Sequence, residues 1–479
     1  MTSIRKKVIE VGIGSRIGFF TRLATLTTRL GTLMASAAER FAQNMNFGLL
    51  GRATELKSRL LFVLGALIVY RLGTYIPIPG IDPQILQQIY QQHAGGVLGV
   101  FNMFSGGALS RMTIFALAVT PYISASIIIQ LMGAAVPQLA ALKKEGEAGR
   151  RKLNQYTRIG TLFLCMLQAY GISTGLEGMQ AAGASAVIHP GLFFRFTTVI
   201  TLTGGTMFLM WLGEQITQRG IGQGISLIIF SGIVANLPNS FASTFELARK
   251  GVMPTPILFL ILAIALGLIA LIVFMERAQR RILIQYPKRQ IGNKIMQGES
   301  THLPLKLNAA GVIPPIFASS ILLFPLTIAG FNAEGGPEWL RTVSSYLAHG
   351  QPLYIVLYVS IIVFFSFFYT AVVFNPVETA DNLRKNGGFI AGIRPGKTTA
   401  DYLDYILTRL TVVGAAYLCF VCVMPEFLIA EYNVPFYLGG TSLLIVVNVI
   451  IDFVGQVQSH LFAHQYEALI KKARLKGRK

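Results

Sequence analysis

Two thiols one helical turn apart, Cys419 and Cys422, are the nearest this chain comes to a reactive pair. A CxxC spacing serves thiol–disulfide exchange or one half of a zinc site. Both residues sit inside an apolar run with no second pair and no histidine nearby, so packing is the plainer reading. Cys165 also lies in an apolar run, and no disulfide framework is implied. His93, His189, His302, His349, His460 and His464 are scattered over run ends and loops without ligand spacing. Gly220, Gly222 and Gly224 form a GxGxG string, but it opens an apolar run instead of following a strand, which speaks against a dinucleotide loop. The chain has no HExxH, no GxSxG and no P-loop. These residues are not spaced for catalysis by a nucleophile, a metal or a bound nucleotide, so no cofactor is expected.

Ion-coupled transport of a small solute is the next chemistry to weigh. It needs ionisable side chains near the middle of a membrane, because proton or ion release is the coupling step. Arg71, Arg195, Glu214 and Asp452 all lie within a turn or two of the end of an apolar run, where a long side chain reaches the interface. Glu426 falls at an outer mouth. An uncharged membrane centre disfavours the transporter and leaves a pathway lined by aliphatic and small polar groups.

The elements that must carry such a pathway follow from composition. Hydrophobic residues make up 53% of the chain and charged residues 13%, with a mean hydropathy of +0.57, whereas soluble chains carry about 25% charged residues. Runs long enough to cross a bilayer fall near 60–76, 112–136, 159–176, 192–213, 221–238, 256–275, 309–330, 353–374, 410–430 and 436–454. Of 41 Lys and Arg residues, all but Arg71, Arg111, Arg195, Arg249, Lys250 and Arg341 fall in the terminal segments and alternate loops. This is the positive-inside pattern, and with ten crossings and basic ends it puts both termini in the cytoplasm. The expectation is an all-α membrane protein.

The run 256–275 is apolar all round and suits lipid. Runs 221–238, 309–330 and 436–454 mix Gly, Ser, Thr, Asn and Pro with Ile and Val, which marks close packing or a wet interior. Segment 95–110 is apolar but too short to cross, and glycine pairs bracket it. It reads as a half-helix that enters the bundle and turns back, or as an amphipathic helix on the surface. Two cytoplasmic loops, Glu276 to Lys306 and Pro376 to Leu407, exceed what topology needs. The first alternates apolar with polar residues over Arg281 to Tyr286, which suits a short protruding hairpin. Residues 1–33 are rich in Arg, Ser and Thr with Glu10 as the only acid, like an organelle transit peptide. The expectation is a working chain that starts near Met34, with 1–33 a non-native extension.

Ordered strings now carry a resemblance: FNMFSGGALS (101–110), PYISASIIIQLM (121–132), KKEGEAGRRKLNQYTR (143–158), GEQITQRGIGQGIS (213–226), ERAQRRI (276–282), STHLPLKLNAAGVIPPIFASS (300–320), FNPVETADNL (374–383), GIRPG (392–396) and PFYLGGTSLLIVVNVI (435–450). From about residue 36 to the end, the chain resembles the bacterial SecY family, channel subunits of the general protein translocase. The resemblance implies ten transmembrane helices in two pseudo-symmetric five-helix halves around a central pore. Residues 34–250 would hold helices 1–5 with a re-entrant plug at 95–110. Residues 251–458 would hold helices 6–10, followed by a basic cytoplasmic tail at 459–479.

It also implies a mid-membrane pore ring of Val119, Ile123, Ile225, Ile229, Ile316 and Ile445, with valine at the first position where isoleucine is usual. The plug would include Phe101, Asn102, Met103, Phe104, Ser105, Gly106 and Gly107. Gln130 and Asn308 would sit at a lateral gate. Arg277, Arg280, Arg281 and Arg394 would dock the SecA motor ATPase or the ribosome. Implied partners are SecE and SecG, signal sequences and nascent polypeptides, anionic lipids, and SecDF and YidC. The implied location is the bacterial cytoplasmic (inner) membrane. Plain topology explains the basic tail as well as contact with RNA or anionic lipid does.

Overall fold

A computed structural model describes residues 54–82, 84–86, 102, 105–178, 180–181, 184–250, 254–287, 289–291, 294–296, 300–331, 346, 351–432 and 439–476. The chain falls into two compact units, Phe62–Gln456 and a smaller one of Met1–Leu61 with Val457–Lys479. In the smaller, Arg59 pairs with Glu55 one turn away at 2.8 Å. Everything that follows concerns the larger unit.

In chain order the described helices are α1 (Thr54–Gly73), α2 (Thr120–Ala135), α3 (Pro137–Lys144), α4 (Glu147–Gly178), α5 (Leu192–Arg219), α6 (Gly224–Arg249), α7 (Thr255–Arg277), α8 (Ile313–Phe331), α9 (Pro352–Val373), α10 (Pro376–Lys385), α11 (Lys397–Tyr432) and α12 (Gly440–Lys476). Proline sets several starts, because its missing N–H costs nothing in a first turn. The same residue bends α2 against α3 by 102°. Val136, just before Pro137, is pushed out of the helical region to φ −99°, ψ 118°.

Among the described residues, seven helices are long and apolar enough to cross a membrane, or eight if the bent pair counts as one. The runs at 60–76 and 309–330 coincide with α1 and α8. The first carries Lys57, Arg59 and Arg71, and the second has Ile313–Leu322 as a shorter apolar stretch. α7 leaves Phe259, Leu260, Leu266 and Phe274 open on its surface, as a lipid-facing helix must.

One expectation is corrected. The run 112–136 is not one helix: residues 105–119 form successive turns, and helix begins only at Thr120. Met112 and Ala118 hold positive φ, 43° and 48°, which no right-handed helix accommodates. In the described part of the segment expected as a half-helix, 95–110, Asn102 is helical and 105–110 are turns. Gly106 and Gly107, at φ 68° and 85°, end any helix there. Residues 95–101, 103 and 104 lie outside the described residues.

The two long loops carry structure that joins them. β3 (Gln279–Gln285) pairs antiparallel with β6 (Ser300–Lys306), from Gln279↔Lys306 to Gln285↔Ser300. The short β7 (Phe389–Ile390), from the second loop, adds to the free edge of β3 at Ile284↔Ile390. One face of this sheet buries Ile282, Ile284, Leu305 and Ile390 against Leu403, Ile406, Leu407 and Leu410 of α11. The alternation read at Arg281 to Tyr286 is thus a strand with one dry face. Two further strand pairs are short: β1 (Gln180–Ala181) with β2 (Ala184–Ser185), and β4 (Arg289–Ile291) with β5 (Lys294–Met296).

Three apolar clusters organise the unit. One joins α4 and α5 to residues between 78 and 117. A second joins α7, α8, α9, α11 and α12. The third draws on both ends of the chain, from α1, α5 and α6 to Ile445 and Val449 of α12.

Candidate functional site

The third cluster contains Val119, Ile229 and Ile445 buried, with Ile123, Ile225 and Ile316 packed against it. These six side chains arrive from four directions, and local sequence explains each approach. Val119 is the N-cap residue of α2, and its carbonyl accepts from the Ile123 N–H at 3.1 Å, so the two sit one turn apart. Ile225 and Ile229 are the same distance apart on α6. That helix can start where it does because Gly224 has no side chain: a Cβ there would lie 1.9 Å from the Gly213 carbonyl. The Gly224 N–H donates to Thr217 Oγ1 at 2.9 Å and the Gly222 N–H to Gln456 Oε1 at 2.7 Å. The GxGxG string is therefore a tight α5–α6 turn whose donors are used within the protein. α12 starts equally close to its neighbour, with Gly440 against the Val421 carbonyl.

Two cavities meet at this cluster. The larger, about 390 Å³, holds polar side chains including Gln130, Gln223, Glu276, Lys306, Asn308 and Asp452. The smaller, about 20 Å³, has Thr120, Ser319 and Ser320 among its lining. Ile123, Ile229 and Ile316 belong to both walls and form the partition. Val119 and Ile445 lie on the small side, Ile225 on the large. A void of roughly 10–15 Å³ holds one water, so the small cavity has no room for a hydrated ion. Thr120, Ser319 and Ser320 are site residues that the sequence reading missed; the mixed composition of 309–330 was a signal for the two serines, and nothing marked Thr120.

In the described part of segment 95–110, residues 105–109 are buried, with Ser105 and Ala108 both 0% exposed, which does not fit a helix on the surface. Asn102 organises it: its side-chain oxygen accepts from Ser110 N at 2.8 Å and its carbonyl from Gly107 N at 2.9 Å. The end of α1 holds it from outside. Arg71 Nη1 donates to the Gly106 carbonyl at 2.9 Å, and Tyr70 Oη to that of Ser105 at 3.4 Å. Gly106 touches the backbone of α6, where a Cβ would come within 2.9 Å of Gly232 Cα. Arg111, just past the segment, lies 4.2 Å over the Tyr75 ring. Phe101, Met103 and Phe104 lie outside the described residues.

Gln130 and Asn308 share the large cavity but no hydrogen bond joins them. Gln130 Nε2 donates to Ser126 Oγ, one turn back on α2, at 3.1 Å. Asn308 Nδ2 donates to Glu276 Oε1 at 2.7 Å and to the Gly311 carbonyl at 3.0 Å. Glu276, which the sequence reading passed over as part of a basic loop, is buried at 7% exposure.

Arg277 ends α7, Arg280 and Arg281 lie on β3, and Arg394 follows β7. All four are exposed, and among the described residues none makes an ion pair. Thr399 Oγ1 donates to the Arg394 carbonyl at 2.8 Å and fixes that turn. None of the three cysteines is in a disulfide. Among the described residues no group of His, Cys, Asp and Glu could hold a metal ion.

A family model described as SecY matches residues 113–454. The protein translocase subunit SecY of Escherichia coli (strain K12) is 59% identical over 428 residues, covering 89% of this chain and 96% of that one. A solved structure concerned with how the SecY plug domain stabilizes the closed state of the translocation channel and maintains a membrane seal aligns with TM-score 0.60. It covers 84% of this chain and 92% of that one at 18% identity. Sec61 in the canine ribosome–channel complex from the endoplasmic reticulum aligns with TM-score 0.56, over 84% and 92% of the two chains, at 17% identity. At such identities the two structures speak for the fold.

Proposed function

This chain belongs to the SecY family, and from that premise we infer that it works as the protein-conducting channel subunit of the general secretory translocase. It is a multi-pass membrane protein. Its task is to pass unfolded secretory polypeptides across the bilayer and to release apolar membrane segments sideways into lipid.

The observation that carries the mechanism is the partition of Ile123, Ile229 and Ile316 between the two cavities, completed by Val119, Ile225 and Ile445. An aliphatic constriction sheds water, so a hydrated ion meets a desolvation barrier. The same collar offers no hydrogen bonds, so an extended chain of any sequence slides past without a fixed partner. Residues 101–107 act as the plug above it, with the Arg71 and Tyr70 bonds as its tether. Signal sequences enter between α2 and α8, next to Gln130 and Asn308. We assign the chain no bond-making step. Without a P-loop of its own, it takes its energy from a partner or from the membrane potential.

We take the full architecture to be ten crossings in two pseudo-symmetric halves, residues 34–250 and 251–458. Separate apolar cores in residues 78–202 and 268–447 support this division. The chain would lie in the bacterial inner membrane with both termini cytoplasmic, beside SecE and SecG, with SecDF and YidC as further associates. Arg277, Arg280, Arg281 and Arg394, exposed on and beside one sheet, suit the carboxylates of SecA or the phosphates of ribosomal RNA. The basic tail 459–479 suits anionic lipid.

The test is ion conductance of the reconstituted complex in planar bilayers. Replacing Ile123 and Ile445 together by glycine removes bulk from the collar and should raise resting conductance well above the parent's. Unchanged conductance would remove these residues from the constriction.

A further inference from the structure

A carboxylate at the last turn of a helix is badly placed, because the free carbonyls there repel an anion. Glu276 is such a group, one residue from the end of α7 and buried. What it gains in return is one short hydrogen bond, from Asn308 at 2.7 Å, and the nearby charge of Lys306. The place of that bond in the chain gives it meaning. The β3–β6 ladder runs down to Gln279↔Lys306 and is extended by Leu307 N donating to the Ala278 carbonyl at 3.0 Å. One residue further on the β6 side and two on the β3 side, backbone pairing stops and the Glu276–Asn308 side-chain bond takes over. Asn308 then closes a turn on Gly311, which sits at φ 64°, and α8 begins at Ile313. Asn308 Oδ1 faces α11, 3.5 Å from where a Cβ on Gly414 would be. The hairpin that bears the docking arginines is thus fixed to α7, and the joint to α8, which carries Ile316 and Phe317, runs through Asn308 and its bond to Glu276.

We propose that Glu276 is a positioning residue of the gate: by holding Asn308 it fixes the first turn of α8, and so sets how readily α8 leaves α2 for an incoming apolar segment. The inference rests on the reading of the α2–α8 seam as the gate. Both amide hydrogens of Asn308 are spent on its own side of that seam, so the cavity face of α8 is poised by α7. Loss of the acceptor frees the joint, and weaker signal segments then suffice to part the helices.

The experiment uses the full chain with its partner subunits in cells. It compares export of a reporter bearing a defective signal sequence with export of the same reporter bearing an intact one. Immunoblots of the membrane fraction normalise for the amount of channel. Glu276→Ala and Asn308→Leu should each raise the defective-to-intact ratio by about fivefold or more, and the double variant should go no further, because both remove the same bond. Glu276→Gln keeps an acceptor oxygen in place and should stay near the parent. Should Glu276→Ala fail to accumulate, Glu276→Asp replaces it: its carboxyl is drawn back by one methylene and should loosen the gate where Gln does not. If Asn308→Leu loosens the gate and Glu276→Ala or Asp does not, the positioning role is overturned while the gate reading stands. The same holds if Gln loosens it as much as Ala. If no variant moves the ratio, the gate reading itself fails.

Discussion

The helix pair α4–α5 and the seam α2–α8 both bury apolar side chains between their helices, but only one is bolted. At one end of α4–α5, Arg158 Nε meets Glu214 Oε1 at 3.0 Å. At the other, Arg195 Nε meets Glu177 Oε2 at 2.9 Å, while Glu177 Oε1 accepts from the Gly191 N–H at 2.9 Å. Between these bolts, Cys165, Ala169, Ile172 and Leu176 pack with Leu202. Across the seam, Ile123, Ile127 and Leu131 meet Ile313 and Phe317, and no hydrogen bond or ion pair joins α2 to the described side chains of α8. In lipid, apolar contact alone holds helices weakly, since acyl chains or another apolar helix replace it at little cost. A pair tied by charge-assisted bonds has no such substitute. Directional bonds therefore sit where helices stay together, and their absence marks where helices can part for a substrate that is itself apolar.

The strongest way to break this comparison is to bolt the seam. A bis-thiol bridge between Ile127→Cys and Phe317→Cys should drop membrane insertion of apolar segments to background, and a cleavable bridge should restore it on reduction. Insertion that continues with the bridge intact would move the gate elsewhere.

The converse change unbolts α4–α5. Glu177→Gln should cost a modest part of the stability, because it removes a charge-assisted bond to an Arg195 that is a third open to solvent. Thermal unfolding of the purified complex reads this cost, and signal-sequence stringency should not change. A stringency change as large as that of Asn308→Leu would erase the distinction between the two regions.

The smallest effect is expected at the tether above the constriction. Arg71→Gln shortens the donor to the Gly106 carbonyl and should raise resting conductance by less than the paired glycine substitution does. Tyr70→Phe, which removes a long 3.4 Å bond, should raise it less again. Planar-bilayer recordings order the three.

Much of the helical frame was legible as apolar runs, because a crossing helix must be apolar for about 20 residues whatever it packs against. The turns at 105–119 were not, since a buried non-helical segment has the same composition as a span, and only Gly106 and Gly107 hinted otherwise. The joining of the two loops through β3 and β7 is a pairing between residues far apart in sequence, which periodicity does not reveal. The six constriction aliphatics stood out by family resemblance alone, for the chain holds many similar i, i+4 pairs of isoleucine and valine. Glu276 was hidden for a different reason. A carboxylate beside three arginines reads as a solvated surface charge, and only the fold brings Asn308 across to bury it.

The most direct test of the central claim is site-specific crosslinking of a stalled secretory polypeptide to photoreactive residues placed at Ile123 and Ile445. The account predicts strong adducts at both positions with the stalled chain and none at exposed Phe259 on α7. Adducts at Phe259 with none at Ile123 or Ile445 would contradict it, because the polypeptide would then be travelling outside the collar.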